Sequence, residues 1–421
     1  MKLFKYVCTL ILFSQFLLSN AQVIENRIFK SDIRTPLAFP SGNPTGYPMV
    51  ESYSSSPVEF HFDIMSDSKE DLRYAVYHCE SDWSISDISE IEYISGFSNQ
   101  DITDVEYSFS TAIDFIHYHF DFPNSLSKPT ISGNYGIVVY NGDEPLNSPV
   151  LTYRMIVYDN LLAITGQVSN SSIVSERFKD QEIDFIVNYG ALNISTPSRD
   201  LKTVILQNND WSTAIRNLQP NFINNNEMNF DLAGPNNFKG GSEWRAFEIK
   251  SIKFASIQVE SIQLENGYWH AYLRHDLERG GKAYQSDYDL NGKTFIRNDL
   301  GNDSFLEAEY IYVHFFLEAP EVPGGKMYLE VAETTFHPEE FEMVYDAEKK
   351  GYALTKLMKQ GYYNYRYKTV DRYHPEGDYS YTEGNHYETE NDYHILVYYY
   401  DMRRGCDRLV GIAALNSVAR N

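Results

Sequence analysis

Strand-length runs of aromatic and β-branched residues fill the segment from residue 74 to residue 158. In chain order they include YAVYHC, EYISGF, HYHFDFPN, SGNYGIVVYN and SPVLTYRMIVYD, and each ends near glycine, proline, asparagine or aspartate. Runs of this kind, closed by turn residues, are typical of short β-strands joined by turns. The chain as a whole contains 34 tyrosines and 25 phenylalanines, which favour strands over helices. The sequence therefore predicts an all-β protein.

The length of the chain predicts more than one domain, because about 400 residues exceed what one hydrophobic core usually supports. Residues 22–159 are predicted to form an immunoglobulin-like β-sandwich, in which Trp83 and Tyr135 pack between the two sheets. A new series of strands after residue 160 predicts a second, larger β-sandwich region over residues 160–421, with room for two subdomains.

Two features interrupt the strand pattern of this second region. An asparagine-rich segment at about residues 208–237 is predicted to be a long ordered loop, since Trp211, Phe222 and Phe230 occur within it. Helices are expected to be few and short. The two candidates are residues 213–218, with Ser212 as N-cap, and residues 345–350.

The first 21 residues have the form of a secretory signal peptide. Lys2 and Lys5 form its basic end, residues 7–18 are apolar, and Ser19-Asn20-Ala21 provides small residues for cleavage. The apolar run of about a dozen residues is shorter than the roughly 20 residues of a membrane-spanning helix, which argues against an uncleaved anchor. We therefore expect a periplasmic protein that is processed after Ala21 and does not insert into a membrane.

The formal net charge of −24 excludes several classes of partner. Binding to nucleic acid requires a basic footprint that displaces counterions, and binding to anionic lipid requires basic residues as well. The acidic residues are dispersed along the chain, which favours a protein that is monomeric when free and can be steered to a basic surface. We expect no nucleic-acid partner.

Two motifs have partial metal-site character. His117-x-His119 places two imidazoles on one face of a strand, but the sequence offers no third histidine or cysteine at a convincing spacing, so hydrogen-bonded strand histidines are favoured. Asp287-x-Asp289-x-Asn291-Gly292 copies the first half of a calcium loop, but Asn298 stands where a closing glutamate is needed. An acidic hairpin turn is favoured there, and no cofactor is predicted.

Catalytic chemistry is not indicated. The chain has no Gly-x-Ser-x-Gly, no His-Glu-x-x-His and no glycine-rich phosphate loop. His78 and Cys79 are neighbours on a predicted strand and should point to opposite faces, so they are not expected to form a thiolate–imidazole pair. Cys79 and Cys406 remain after processing, and two buried free thiols are favoured over one disulfide bond.

Tyrosine clusters leave a second interpretation open. Tyr363, Tyr365 and Tyr367 share one face of a predicted strand, and tyrosines follow one another at residues 398–400. Such clusters are favoured to lie in a sandwich core, because aromatic pairs across strands stabilise sheets. If these tyrosines lay on the surface instead, they would form a platform that binds glycans or protein loops.

The order of short motifs along the chain resembles the plug proteins of the type IX secretion system, a periplasmic family of Bacteroidetes-type bacteria. The first motifs are His78-Cys79-x-x-x-Trp83, Tyr93-x-x-Gly96-Phe97, Tyr118-x-x-x-Phe122-Pro123-Asn124 and Ser132-Gly133-Asn134-Tyr135. Further motifs begin at Leu206, Gly240, Tyr288, Lys359, Glu383 and Asp407, so the resemblance covers nearly all of the chain after the leader.

This resemblance implies a function. In that family the protein docks at the periplasmic end of the outer-membrane translocon barrel and seals the channel, which preserves the permeability barrier. We therefore expect a protein without catalytic residues whose partner is that translocon, with a docking surface that the sequence does not identify. The alternative is a periplasmic or surface glycan-binding β-sandwich, which would use the tyrosine faces.

Overall fold

The structure, a computed structural model, describes residues 22–418, so the predicted leader lies outside the described residues. Within this range 31 strands are accompanied by two short α-helices, α1 (Glu90–Tyr93) and α2 (Pro197–Asp200), and by two 3-10 helices at Ala332–Thr335 and Pro338–Phe341. The prediction of an all-β protein with few short helices is confirmed. None of the helices that the structure describes is long and apolar enough to cross a membrane.

The first twelve strands belong to residues 22–159. They are β1 (Arg27–Ile28), β2 (Ile33–Pro40), β3 (Met49–Glu51), β4 (Val58–Ile64), β5 (Arg73–Cys79), β6 (Ile94–Gly96), β7 (Asn99–Asp101), β8 (Asp104–Tyr107), β9 (Ile116–Phe122), β10 (Ser127–Pro129), β11 (Gly133–Tyr140) and β12 (Pro149–Tyr158).

The remaining strands follow after residue 160. They are β13 (Ala163–Asn170), β14 (Asp180–Asn188), β15 (Leu201–Gln207), β16 (Ile215–Arg216), β17 (Phe222–Asn224), β18 (Glu227–Phe230), β19 (Asn237–Lys239), β20 (Arg245–Glu248), β21 (Val259–Glu265), β22 (Tyr268–Leu273), β23 (Asp276–Leu277), β24 (Thr294–Ile296), β25 (Tyr310–Glu318), β26 (Lys326–Glu330), β27 (Glu342–Asp346), β28 (Gly351–Lys359), β29 (Gly361–Val370), β30 (Asp392–Asp401) and β31 (Cys406–Asn416).

The first unit is a sandwich of two sheets. Sheet 1 has the order β1-β12-β11-β5-β7 with β3 added beside β12, and sheet 2 has the order β2-β4-β9-β8. Alternate residues of each strand point into the core between them, as the two-residue period of a strand requires. The inward residues include Phe60, Phe62 and Ile64 from β4 and Tyr135, Ile137 and Val139 from β11.

The second unit is also a sandwich, and the chain returns to complete it. Sheet 3 has the order β16-β15-β30-β31, and sheet 4 has the order β13-β14-β18-β17 with β19 beside β14. Their shared core combines residues from positions 162–238 with Tyr393, Ile395, Val397 and Val410 from the last two strands. The second sandwich therefore depends on a hairpin that follows the third unit in the chain.

The third unit is a single ten-stranded sheet, here sheet 5. Its order is β20-β29-β26-β27-β28-β25-β22-β21, with β24 beside β29 and β23 beside β25. Strands from across this sheet contribute to one core, in which Phe247, Val313, Leu329 and Tyr365 are buried. The sheet therefore folds over on itself to cover its own apolar face.

The first sandwich lies between the other two units and meets each through one outer face. Residues from the outer face of sheet 1 and the adjacent chain pack against sheet 3 in what we call the apolar seam, where Trp83, Val138 and Ile156 meet Leu206 and Leu396. The outer face of sheet 2 meets sheet 5 in what we call the polar seam, described below. The domain boundary predicted at residues 159–160 stays a prediction.

Three local expectations were wrong. Trp83 is fully buried, but in the apolar seam rather than between the sheets of its own sandwich, whereas Tyr135 does lie between those sheets. Residues 213–218 contain β16, and residues 345–350 contain the end of β27 and a turn, so neither segment is helical. Sheet pairing overrides weak local helix preference at both places.

The asparagine-rich segment is not a loop throughout, because it contains β16, β17 and β18 and ends where β19 begins. Asn225 and Asn226 have φ angles of 49° and 65° and join β17 to β18 as a tight hairpin. Asparagine tolerates the left-handed conformation that such a turn requires, so two adjacent asparagines here form a connection between strands.

Candidate functional site

The polar seam is built around a buried carboxylate. Asp63 lies on β4 and accepts hydrogen bonds from Lys359 Nζ at 2.6 Å, Tyr310 Oη at 2.6 Å and His117 Nδ1 at 2.7 Å. The side chains of Asp63 and Lys359 are each only 1% exposed. Three donors from three strands therefore converge on one carboxyl group and join the first unit to the third.

The ionisation of Asp63 follows from these partners. Burial alone would raise the pKa of this carboxyl, but the Lys359 ammonium and the His117 hydrogen bond outweigh burial and hold the pKa below its usual range. Lys359 is held in turn by the carbonyl oxygen of Phe305 at 2.6 Å and by the ring of Phe115 at 4.0 Å. The pair is buried and ionised, and each member depends on the other.

A stack of rings lies next to this carboxylate. The His61 ring is parallel to Phe305 of the third unit at 4.2 Å between centroids, and to His119 at 4.3 Å. His61 Nδ1 is 3.1 Å from His117 Nε2, which links the stack to Asp63. Burial, followed by the neighbouring His117 and His119, lowers the pKa of His61 far below the usual histidine range. His61 is therefore a neutral imidazole at physiological pH.

His117 and His119 both form the hydrogen bonds that the sequence favours for them. Both side chains lie on one face of β9, His117 is bonded to Asp63, and His119 contacts Asp104 and Asp121 at 3.2 Å and 3.1 Å. Burial lowers the pKa of His119, but these two carboxylates outweigh it and raise the pKa. The sequence did not reveal His61, because it lies on β4 and only strand pairing brings it opposite His119.

The segment at residues 287–292 turns sharply, as predicted, without forming a hairpin. Asn291 and Gly292 have φ angles of 53° and 84°, but no strand precedes the turn. Asp289 accepts hydrogen bonds from the backbone N–H of Trp244 at 2.5 Å and of Asn291 at 2.7 Å, while Asp287 is exposed. Burial raises the pKa of Asp289 to about 6.

The tyrosine clusters are mainly core, which confirms the favoured interpretation. Tyr363, Tyr365 and Tyr367 are buried within the third unit, and the hydroxyls of Tyr365 and Tyr367 donate to Asp276 at 2.8 Å and 2.7 Å. Tyr398 is buried in the apolar seam and donates to Asn134 at 2.7 Å. These residues therefore offer no platform for a glycan.

A different set of rings does reach the surface. Tyr268, His270 and Tyr272 alternate along β22, next to Tyr312 and His314 of the parallel strand β25; we call these five residues the aromatic face. Tyr272 and His314 stack at 4.3 Å between centroids, and His270 and Tyr312 at 5.1 Å. Their spacing of two residues is the signal that could have identified this face from the sequence.

Cys79 and Cys406 are both free and fully buried, which confirms the favoured state of the thiols. Burial raises the pKa of each thiol to about 12, so neither is a nucleophile at physiological pH. His78 points away from Cys79 and binds Ser86 Oγ at 2.8 Å, as expected for neighbours on one strand. No thiolate–imidazole pair forms between them.

Comparison with known proteins adds two findings. Residues 33–159 match the family model described as the type 9 secretion system plug protein, first domain. A crystal structure of a hypothetical protein from Parabacteroides merdae is 32% identical and has a TM-score of 0.89. That similarity covers 94% of this chain and 100% of the other. Comparison with curated proteins gives no match.

Proposed function

The chain belongs to the family of type 9 secretion system plug proteins, and from that premise we propose that it binds the periplasmic end of the outer-membrane translocon channel and seals it. The observation that carries the proposal is the match of residues 33–159 to the first domain of such plugs. A channel wide enough for folded cargo needs a closure whenever no cargo is passing, and occlusion requires no catalytic group.

The packing of the three units supports this role. A protein that closes a channel has to resist deformation. The first sandwich is packed against another unit on each of its outer faces, at the apolar seam and at the polar seam. Well-packed interiors deform little, because their side chains interdigitate at close to crystal density. We therefore expect the three units to dock and leave as one rigid body.

The net charge of −24 supports docking to a basic rim on the channel. Complementary charge accelerates association and favours the correct partner, and it is screened by salt. A plug must also be released when cargo arrives, which fits an interface of moderate size with a polar rim.

Envelope permeability tests the proposal directly. We expect a strain that lacks the protein to admit large antibiotics that are normally excluded, although the translocon is still assembled. Re-expression of the wild-type chain should restore the barrier. Unchanged permeability in a strain with a demonstrably present translocon would overturn the proposal.

Co-purification tests the partner. Full-length protein isolated from the native envelope should carry the translocon at low salt and lose it progressively as the ionic strength rises. Isolation of the protein without the translocon at low salt, after mild cross-linking, would argue against docking.

The aromatic face supports glycan binding as a second candidate function, since stacked rings on an exposed sheet suit flat sugar surfaces. Tyr268, on its edge, is 44% exposed. Retention of the wild-type protein on an envelope polysaccharide, lost in a Tyr268→Ala variant, would favour this candidate. An unaffected Tyr373→Ala variant is the matched control, because Tyr373 is an exposed tyrosine outside the face.

A further inference from the structure

A group of possible metal ligands lies where the first sandwich borders the polar seam. Glu59 and His61 alternate on β4, so both point to the same side of sheet 2. His119 lies directly opposite His61 on β9. One potential ligand atom from each of these three residues falls within 4.8 Å of the others, and no other such set of three is present among residues 22–418.

The hydrogen-bond chain from Asp63 determines which nitrogen of His61 is free. The ionised Asp63 can only accept, so His117 donates to it through Nδ1–H. The other nitrogen of His117, Nε2, lies 3.1 Å from His61 Nδ1, so these two nitrogens share a hydrogen bond. With its Nδ1 engaged by His117, His61 has only Nε2 left to bind a ligand.

The Nε2 atom of His61 has no hydrogen-bond partner. His61 is only 4% exposed, and its Nε2 is buried without a donor. A buried acceptor that is not satisfied costs free energy, so such a group calls for an explanation. Glu59 Oε2 lies 3.5 Å from this nitrogen without forming a hydrogen bond to it. A cation between the two groups would satisfy both.

The surrounding charges favour a cation as well. Asp121 lies opposite Glu59 in the strand pairing, and Asp104 lies opposite His119. Like charges that face each other across strands destabilise a sheet. In the described part of the chain, the ion-pair partners of these three carboxylates are imidazoles alone, with no lysine or arginine among them.

We propose that Glu59, His61 and His119 bind a divalent transition-metal ion, with zinc as the best fit. One carboxylate and two imidazoles form a known set of protein ligands for zinc, which leaves a fourth position for water. His61 would bind through Nε2, backed by His117 and Asp63. His119 would bind through one nitrogen while its other nitrogen donates to Asp104 or Asp121.

Binding would have a structural consequence at the polar seam. The His61 and His119 rings are stacked, so His119 has to rotate out of the stack for its nitrogen to face the ion. Its side chain is 26% exposed, which leaves room for this rotation. His61 stays fixed by Phe305 and His117, so the ion would fix β9 to β4 beside the third unit.

Zinc binding to untagged, full-length protein tests the proposal. After treatment with a chelator and dialysis, we expect one equivalent of zinc by calorimetry and by elemental analysis. Cobalt substituted for zinc should give the visible absorption of a tetrahedral site. Both Glu59→Gln and His119→Ala should weaken affinity by about 100-fold or more, whereas Asp121→Asn, which alters only a supporting contact, should weaken it by roughly 10-fold.

Two controls separate the loss of zinc binding from misfolding and from binding to other histidines. Glu59 and His119 are partly exposed, so their variants should fold, and unchanged circular dichroism would verify this. His275→Ala removes an exposed histidine that is not among the three proposed ligands and should leave binding unchanged. The proposal is overturned if the wild-type protein binds no zinc, or if the Glu59→Gln/His119→Ala double variant still binds one equivalent with wild-type affinity.

Discussion

The two seams of the central sandwich differ in the kind of interaction that stabilises them. In the apolar seam, ten fully buried residues such as Val138, Ile156 and Leu396 pack without forming an ion pair among themselves. In the polar seam, one buried carboxylate collects donors from His117, Tyr310 and Lys359. Apolar burial stabilises over a range of relative orientations, whereas converging hydrogen bonds require one geometry. The polar seam therefore fixes the angle between the units it joins, whereas the apolar seam combines apolar burial with a few hydrogen bonds, such as that from Tyr398 to Asn134.

The largest loss of stability is expected from a substitution in the polar seam. Lys359→Met leaves Asp63 buried without its ammonium partner, and we expect the free energy of unfolding to fall by about 3–5 kcal/mol. Chemical denaturation followed by circular dichroism measures this loss. Lys326→Met is the matched control, since its pair with Glu342 is largely exposed and should contribute little to stability. Equal losses for both variants would contradict the importance of the buried pair.

The apolar seam should respond to loss of volume alone. Leu396→Ala removes a fully buried side chain and should cost about 3 kcal/mol, with little dependence on pH or salt. Denaturation at two ionic strengths checks both parts of this expectation. Leu264→Ala, at a position 58% exposed, should change stability by less than about 0.5 kcal/mol. A strong salt dependence of the Leu396→Ala effect would remove the distinction between the seams.

The geometry of the polar seam can be tested with a smaller change. Tyr310→Phe removes one donor to Asp63 and keeps the ring, so we expect a loss of about 2 kcal/mol, typical of a hydrogen bond to a charged group. The same substitution at Tyr345, for which the described residues show no side-chain hydrogen bond, is the control. Tyr310→Phe would contradict this account if it were as stable as the wild type.

As the pH falls, the apolar seam should lose stability before the polar seam does, although the polar seam contains the buried ion pair. His394 lies at the edge of the apolar seam, beside Tyr47, and burial lowers its pKa to about 4. The unfolded chain takes up a proton near pH 6.5 and the folded chain does not. The contribution of His394 to the free energy of unfolding is therefore fully present above pH 6.5. Below that pH the free energy of unfolding falls by about 1.4 kcal/mol per pH unit, down to about pH 4.

Denaturation of the wild type and a His394→Phe variant between pH 7 and pH 4.5 checks this expectation. The variant should lack this part of the pH dependence. The contribution of Asp63 runs in a lower window, because its folded pKa lies below its usual value and its stabilisation is lost only as the pH falls through that folded pKa. Identical pH profiles for the two proteins would show that His394 is not protonated on unfolding.

The sequence predicts which segments form strands, but it does not predict which distant residues pack against them. The runs at β5, β9, β11 and β12 are recognisable in the sequence, because runs of apolar and aromatic side chains closed by turn residues are a local signal. The position of Trp83 is not, because its partners Val204 and Leu396 lie far along the chain. A residue's burial can be predicted from its type, but the face that covers it depends on how distant strands pair.

The residues of the candidate metal site also could not be identified from the sequence alone. His117 and His119 stood out by their spacing, whereas His61 and Glu59 carry no motif until β4 is placed beside β9 in the observed register. Asp63 and Lys359 are 296 positions apart in the chain, and nothing local marks either as a buried ion pair. Ligand sets and charge pairs that cross between strands become visible only with the topology.

The return of β30 and β31 to the second sandwich has a consequence for how the chain folds. Strand β30 pairs with β15 across the whole of the third unit, and such distant pairing is slow, because a long loop must close before any contact forms. The first sandwich can form early, but its outer face stays uncovered until that hairpin arrives. A newly synthesised chain would therefore expose Val138 and Ile156 for the longest time, and these are the positions that a chaperone would have most reason to cover.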